Sequence, residues 1–129
     1  MSAPAHGHAL DETALVRGAS SGFTVLIIGE LMSPVVAGIH PMIGLLWLSF
    51  VGAAGFVVAG SRVGLARRTW LQGALAALAA LTLTIPLRML VGLDTAGQWY
   101  AVMVSAVFGL VVGAIAGRSA GAIRDRTDA

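Results

Sequence analysis

The chain has 129 residues, of which 57% are hydrophobic and only 11% are charged. Soluble domains carry about 25% charged residues, so this chain has too little charge to cover a water-facing surface. Together with a mean hydropathy of +0.89, this predicts an integral membrane protein. The absence of cysteine excludes disulfides, thiolate nucleophiles and cysteine-based zinc or iron–sulfur sites.

The eight basic residues are all arginine and give a formal net charge of +2. Most of them lie at the ends of apolar segments, where arginine indicates membrane topology, so we expect no nucleic-acid partner. An alanine-, glycine- and arginine-rich chain without lysine is typical of a GC-rich bacterial genome. We therefore expect a multi-pass protein of the bacterial cytoplasmic (inner) membrane, with the lipid bilayer as its surroundings.

The apolar segments predict four membrane spans. A spanning helix needs about 20 mostly apolar residues, and the first apolar segment, 23–60, is long enough for two. His40-Pro41 divides it, because proline cannot continue helical hydrogen bonding. The fold class is therefore all-α, with two tandem hairpins and a mobile N-terminal segment and charged C-terminal tail on the cytoplasmic side. The spans are 18–39, 41–61, 70–91 and 99–117, and the terminal segments are 1–17 and 118–129.

The arginines predict the orientation of these spans. Cytoplasmic loops carry an excess of arginine and lysine. Arg17 precedes span 1, and Arg88 alone lies toward the other side of the membrane. Both termini are therefore predicted to be cytoplasmic. The remaining arginines follow span 2 or span 4, namely Arg62, Arg67, Arg68, Arg118, Arg124 and Arg126.

Glycines recur at a spacing of four, which places them on one helix face. Small residues let helix backbones approach closely in lipid, where packing rather than hydrophobicity drives association. Two arrangements are open: spans 2 and 4 pack on each other within the chain, or one stripe binds a second copy or a larger membrane protein. Span 4 carries Gly109, Gly113, Gly117 and Gly121, and span 2 carries a broken stripe of Gly44, Gly52, Gly60 and Gly64.

Glu30 is the acidic residue near the middle of a span. A charge at the bilayer centre costs about 2.5–3.5 kcal/mol, and such residues mark pathways or pairs. Pro34 has no N–H, so the Glu30 carbonyl loses its helical donor, and the Ser33 hydroxyl lies beside this break. The cluster of Glu30, Ser33 and Pro34 would suit a proton or a small cation.

Arg88 has three possible arrangements. It can extend to the outer headgroups, pair with Asp94 in the loop, or pair with Glu30. Glu30 is about nine residues from the outer end of its span and Arg88 about four, a depth difference of roughly 8 Å. Two long side chains can close much of that difference, so a Glu30–Arg88 pair is a specific hypothesis.

The remaining polar residues predict no further site. His40 lies at the outer turn, and His6 and His8 lie near Asp11 and Glu12 without a fixed fourth metal ligand. The sequence shows no nucleophile beside a base, no phosphate loop and no paired carboxylates. We expect no enzyme, no metal and no cofactor.

The segments 58–64 and 70–75 resemble a family of small four-helix bacterial membrane proteins without an assigned activity. Its members join spans 2 and 3 by a glycine-rich, arginine-containing turn followed by Trp-Leu-x-Gly, and the resemblance implies the four-helix fold. The chain is also similar in length and span number to the small multidrug resistance transporters. Their span 1 carries one embedded glutamate, which Glu30 matches, but their substrate-facing aromatic residues are missing. Fluoride channels have this size, yet their Gly-Gly and Thr-Thr-Phe-Ser signatures are absent.

Two functions follow from these features. The first is helix–helix association, as a homo-oligomer or as an accessory subunit of a larger membrane complex, through the glycine stripes. The alternative is a small proton-coupled transporter or channel that uses Glu30. A buried arginine beside Glu30 would favour a structural role, and a water-accessible cavity there would favour transport.

Overall fold

The fold consists of four α-helices. The computed structural model describes residues 9–92 and 95–129, and within these ranges it contains no β-strand. Each helix is long and apolar enough to cross a membrane. The all-α, four-helix prediction is therefore confirmed. The helices are α1 (Glu12–Ile39), α2 (Pro41–Gly60), α3 (Thr69–Val91) and α4 (Ala96–Thr127).

The helix ends follow from local sequence signals. His40 has extended backbone (φ −163°, ψ 134°), and Pro41 starts α2 directly after it. The break between the first two spans therefore lies where proline predicted it. Asp11 caps α1 by accepting a hydrogen bond from the Ala14 N–H, and Thr95 forms a capping box with Gln98 at the start of α4. As a result α1 begins before the predicted span 18–39, and α4 begins before the predicted span 99–117. Helix α4 also continues beyond that span to Thr127.

The helices are arranged as two hairpins side by side. Helix α1 packs most extensively on α2, and α3 packs most extensively on α4. Helices α2 and α3 lie between the other two, and within the described residues the backbones of α1 and α4 do not approach each other closely. The starts of α1 and α3 and the ends of α2 and α4 share one end of the bundle. We call this the basic end, because every arginine except Arg88 lies there.

Small residues fill the interior and large apolar residues face outward. Ala59, Ala76, Ala77 and Ala80 are fully buried, whereas Leu90 is 84% exposed. A water-soluble protein shows the reverse pattern, while close packing of small residues is typical of helices in lipid. The structure therefore fits a multi-pass membrane protein. Other exposed large residues include Leu31, Ile39, Leu46, Phe50, Tyr100, Met103 and Ile115.

The glycine stripe of α4 is buried within the chain. A Cβ atom on Gly113 would lie 2.6 Å from the Ala77 Cβ, and one on Gly117 would lie 3.0 Å from the Gly73 Cα. Gly109 instead faces the ring of Phe56 on α2. The stripe therefore packs mainly on α3 and only in part on α2, which was the partner in one of the two arrangements open from the sequence.

The glycines of α2 do not form one continuous contact. Gly44 packs on Ala37 of α1, and Gly60 packs on the Gly113 backbone of α4. Gly52 meets no atom within 4 Å of an added Cβ, and Gly64 lies in the following loop with a φ of +53°. Backbone contact between the two hairpins is therefore concentrated toward the basic end, and the helices separate toward the opposite end.

Candidate functional site

The proline in α1 leaves a backbone carbonyl group without its helical hydrogen bond near the middle of the helix. Pro34 lies inside α1, so the carbonyl of Glu30 has no helical N–H donor. Ser33 and Pro34 both line a cavity that also contains the Glu30 side chain. The structure thus brings together the three α1 residues that the sequence selected.

Glu30 is paired with Arg88 across the two hairpins. The Arg88 Nη2 of α3 donates a hydrogen bond to the Glu30 Oε1 of α1. The side chains of Arg88 and Glu30 are 36% and 29% exposed, so the protein does not enclose the pair. Of the three arrangements open to Arg88, the structure shows this one, while Asp94 lies outside the described residues.

Two cavities adjoin this ion pair, and both include Glu30, Arg88 and Leu48 in their walls. The deeper cavity, of about 410 Å³, also reaches Ser49, Ser105 and Gly52 and is bounded toward the basic end by Phe56. The second cavity, of about 540 Å³, extends toward the opposite end past Gln98. Together they form a cleft between the hairpins that narrows where glycine packing begins.

The Arg88 side chain has one N–H group without a hydrogen-bond partner among the described residues. The Arg88 Nε is buried and donates to no atom of the described residues. Buried polar groups are normally hydrogen-bonded, so an unpaired donor of this kind needs an explanation such as a bound molecule or water.

Trp47 positions the backbone next to Glu30, a role that the sequence did not indicate. Its indole Nε1 donates a hydrogen bond of 3.0 Å to the carbonyl oxygen of Gly29. The same glycine packs directly on Val51, leaving no space for a side chain. These two contacts from α2 fix the position of the α1 backbone at Gly29, the residue before Glu30. The only available signal was an indole N–H in the middle of a span, which needs a partner when buried.

The second proline-containing helix does not contribute its hydroxyl groups to the cleft. Thr82 donates to the Leu78 carbonyl and Thr84 to the Leu81 carbonyl, both within α3. Thr84 is buried, and neither threonine lines the cavities around Glu30. These hydroxyl groups donate to backbone carbonyl groups of α3, the helix that contains Pro86.

A second polar cluster lies at the basic end. The Gln72 side chain bonds both backbone groups of Asp11, donating to its carbonyl oxygen at 2.6 Å and accepting from its N–H at 3.1 Å. The Asp11 carboxylate accepts from the N–H groups of Ala14 and Leu65. On the other side, Arg124 donates to the carbonyl oxygens of Gly64 and Ala66. These contacts join the start of α1, the α2–α3 loop, α3 and the end of α4.

The hydrogen bonds to Asp11 predict a pH dependence. The Leu65 N–H, followed by that of Ala14, lowers the pKa of the Asp11 carboxyl below its ordinary value of 3.8. A lowered pKa stabilises the folded protein above the ordinary value, and this stabilisation is lost as the pH falls through the folded-state pKa. We expect Asp11→Asn to unfold at a lower temperature than wild type at pH 7, with the difference shrinking below about pH 4.

Thermal unfolding in detergent, followed by tryptophan fluorescence between pH 7 and pH 3, measures this difference. Asp128→Asn, at the exposed end of α4, is the matched control and should follow the wild-type curve. A difference between Asp11→Asn and wild type that does not change with pH would contradict the prediction.

The histidines form no metal centre in the described part of the chain. His40 is exposed, and its Nδ1 accepts a hydrogen bond from the Met42 N–H, so it caps α2. His6 and His8 lie outside the described residues. Within the described ranges, no three histidine, aspartate or glutamate side chains are placed to hold a metal ion.

The comparisons with known proteins add no relative. The cleft and the basic end are therefore the features of this chain that bear on its function. Comparison of this chain with protein-family models, with curated proteins and with solved structures gave no match.

Proposed function

We propose that this chain is a small proton-translocating membrane protein, a transporter or channel, in which Glu30 takes up and releases the proton. In this proposal the four helices span the bacterial inner membrane with both termini in the cytoplasm. The cleft around Glu30 and Arg88 then opens toward the outer side. The arginines of the basic end support this orientation through the positive-inside rule.

The position of the ion pair is the observation that carries the proposal. A pair that served only to join helices would be expected within the packed core, but Glu30 and Arg88 form the wall shared by two cavities. Ionisable residues within spans that face a cavity mark ion pathways and proton relays. The combined cavity volume is ample for several water molecules beside Glu30.

In this proposal, protonation of Glu30 changes the hydrogen-bond partner of Arg88. While Glu30 is ionised, Arg88 compensates its charge. A proton on Glu30 removes that attraction, so the guanidinium becomes free to bind another acceptor in the cleft. Leu26, Phe56 and Leu81 are buried beyond the deeper cavity and separate it from the basic end. A translocated proton must pass this apolar barrier, so the helices must move during the cycle.

Proton flux into vesicles tests the proposal. The purified protein is reconstituted in liposomes that contain a pH-sensitive dye, and a potassium gradient with valinomycin sets the membrane potential. We expect flux above that of protein-free vesicles for wild type and flux at the protein-free level for Glu30→Gln. Without a dissociable proton, the glutamine amide cannot exchange one at this position.

Thr82→Ala is the matched control for this experiment. Thr82 is a polar residue of a spanning helix, but it lines neither cavity beside Glu30 and its hydroxyl donates within α3. This variant should retain wild-type flux. Wild-type flux no greater than that of protein-free vesicles, or an unchanged flux in Glu30→Gln, would contradict the proposal.

A second candidate function is helix–helix association with another chain, as a homo-oligomer or an accessory subunit. The stripe of α4 is already used within the chain, but Gly38 is exposed and meets nothing within 4 Å of an added Cβ. This open position favours approach by a helix of another chain. The native mass of the protein, extracted in nanodiscs from its own host, tests this candidate: copurified polypeptides or a defined oligomer support it, and a monomer alone contradicts it.

A further inference from the structure

The basic end carries a cavity whose walls are rich in arginine. It has a volume of about 490 Å³ and lies where the start of α1, the end of α2 and the end of α4 meet. Arg17, Arg62 and Arg124 line it, together with the hydroxyl-bearing Ser61 and Thr13. Three cations thus surround one small volume.

The charges in this cavity are not balanced by the protein. Asp11 is the carboxylate in its wall, and both of its oxygens accept backbone N–H groups, those of Ala14 and Leu65. Arg124 donates to backbone carbonyl groups of the loop and to Asp125. Arg17 and Arg62 make no hydrogen bond or ion pair with the described residues, although Arg17 lies near enough to Asp11 to lower its pKa. The cavity is therefore suited to an anion.

An apolar groove continues from this cavity along the outside of the bundle. It has a volume of about 480 Å³ and runs between α2 and α4 past Val57, Val112 and Ile115. Ser61, Ala120 and Ile123 line both the basic cavity and the groove, so the two volumes adjoin. Ile115 and Ile123 are 62% and 64% exposed, which shows that the groove is open to the surroundings of the bundle.

The dimensions of the groove match one leaflet of a bilayer. Ile123 and Val112 are eleven positions apart on α4, which corresponds to about 16 Å along the helix. The hydrocarbon core of a bilayer is about 30 Å thick, so one leaflet accounts for about 15 Å. A chain lying in the groove would thus extend from the headgroup level at Ser61 to near the bilayer centre.

We propose that the basic cavity and the adjoining groove together bind one anionic phospholipid. The phosphate group lies among Arg17, Arg62 and Arg124, and one acyl chain lies in the groove between α2 and α4. Basic pockets between helices at the cytoplasmic side are suited to anionic headgroups, and that leaflet carries anionic lipid. This site is separate from the Glu30 cleft and does not depend on the function proposed for it.

Native mass spectrometry of the full-length, delipidated protein in detergent tests the proposal. Dioleoyl-phosphatidylglycerol and dioleoyl-phosphatidylcholine are the probes, because they share acyl chains and differ in net charge. We expect a single bound phosphatidylglycerol at several-fold higher occupancy than phosphatidylcholine. Arg62→Gln should lower the affinity for phosphatidylglycerol roughly fivefold, the factor for one arginine near an anionic headgroup.

Two variants distinguish lipid binding in the basic cavity and groove from general electrostatic attraction to the basic end. Arg118→Gln removes a charge at the same end of α4 from a residue that lines neither volume, so it should leave phosphatidylglycerol binding unchanged. Ser119→Leu fills the groove from an exposed position and should weaken both lipids. Unfolding temperatures equal to wild type show that these variants are folded.

Three results would overturn the proposal. Equal losses in Arg118→Gln and Arg62→Gln would show only diffuse surface attraction. Glycerol 3-phosphate displacing the lipid at equal concentration would show an anion site that makes no use of the groove. A wild-type dimer that becomes monomeric in Ser119→Leu, without a lipid preference, would show that a second copy occupies the groove.

Discussion

Replacing Arg88 with glutamine should lower the free energy of unfolding by about 1–3 kcal/mol, because the Glu30 carboxyl group then loses its charged partner. The loss is limited by the partial exposure of the pair, since water in the cleft can solvate Glu30. The double variant Glu30→Gln/Arg88→Gln leaves two neutral amides and should recover most of the loss. Unfolding by SDS in mixed micelles, followed by tryptophan fluorescence, measures these differences.

Arg67→Gln is the control for this prediction, because Arg67 is an exposed loop arginine and the substitution is the same. It should unfold like wild type. Equal stabilities of the Arg88→Gln and Arg67→Gln variants would show that the ion pair makes no net contribution.

The charge-exchanged variant Glu30→Arg/Arg88→Glu distinguishes a structural pair from a proton-exchanging one. Both roles predict that the exchange restores much of the stability lost in Arg88→Gln, since opposite charges again face each other. Both positions line the deeper cavity, so the exchange moves the carboxyl group from α1 to α3 within the same cleft. Restored stability together with proton flux that falls from a measurable wild-type level to that of protein-free vesicles would support a proton-exchanging role for the α1 carboxyl group.

Replacing Gly113 with alanine should also destabilise the protein, by about 1–3 kcal/mol. The added Cβ would lie 2.6 Å from the Ala77 Cβ and 3.0 Å from the Gly73 carbonyl carbon, so α3 and α4 must move apart. A backbone contact cannot rearrange as a flexible side chain can. The same unfolding measurement in mixed micelles checks this prediction.

Gly38→Ala is the matched control, because an added Cβ there meets no atom within 4 Å. Alanine has a higher helix propensity than glycine, so this variant should be unchanged or more stable, by up to about 1 kcal/mol. Similar stabilities for the Gly113 and Gly38 variants would mean that the α3–α4 contact is looser than the structure shows.

The sequence was sufficient to predict the helices, because each depends on local information. A run of apolar residues of the right length, interrupted at His40-Pro41, gives the spans and the first turn. Helices α1 and α4 extend beyond the predicted spans, which follow hydrophobicity alone. Capping at Asp11 and Thr95 determines where these two helices begin.

The contacts between helices were less accessible from sequence. Spacing shows that Gly109, Gly113 and Gly117 share a face, but it does not show which helix that face meets. The two partners open from the sequence are span 2 and another chain, whereas the structure places most of the stripe on α3. The Glu30–Arg88 pair is one of three arrangements that their depths allow, and depth alone does not choose among them. The Trp47 hydrogen bond to Gly29 could not follow, because it depends on the rotation of α2 against α1.

The cluster at the basic end also has a consequence for the order of events during synthesis. A ribosome makes the chain from its N-terminus, so Asp11 emerges well before Gln72, the side chain that bonds its backbone. Arg124, which bonds the carbonyl groups of the α2–α3 loop, emerges near the end of translation. The start of α1 can therefore be anchored only after α3 has been made. The hydrogen bonds from Arg124 to the α2–α3 loop form only after the end of α4 has been made.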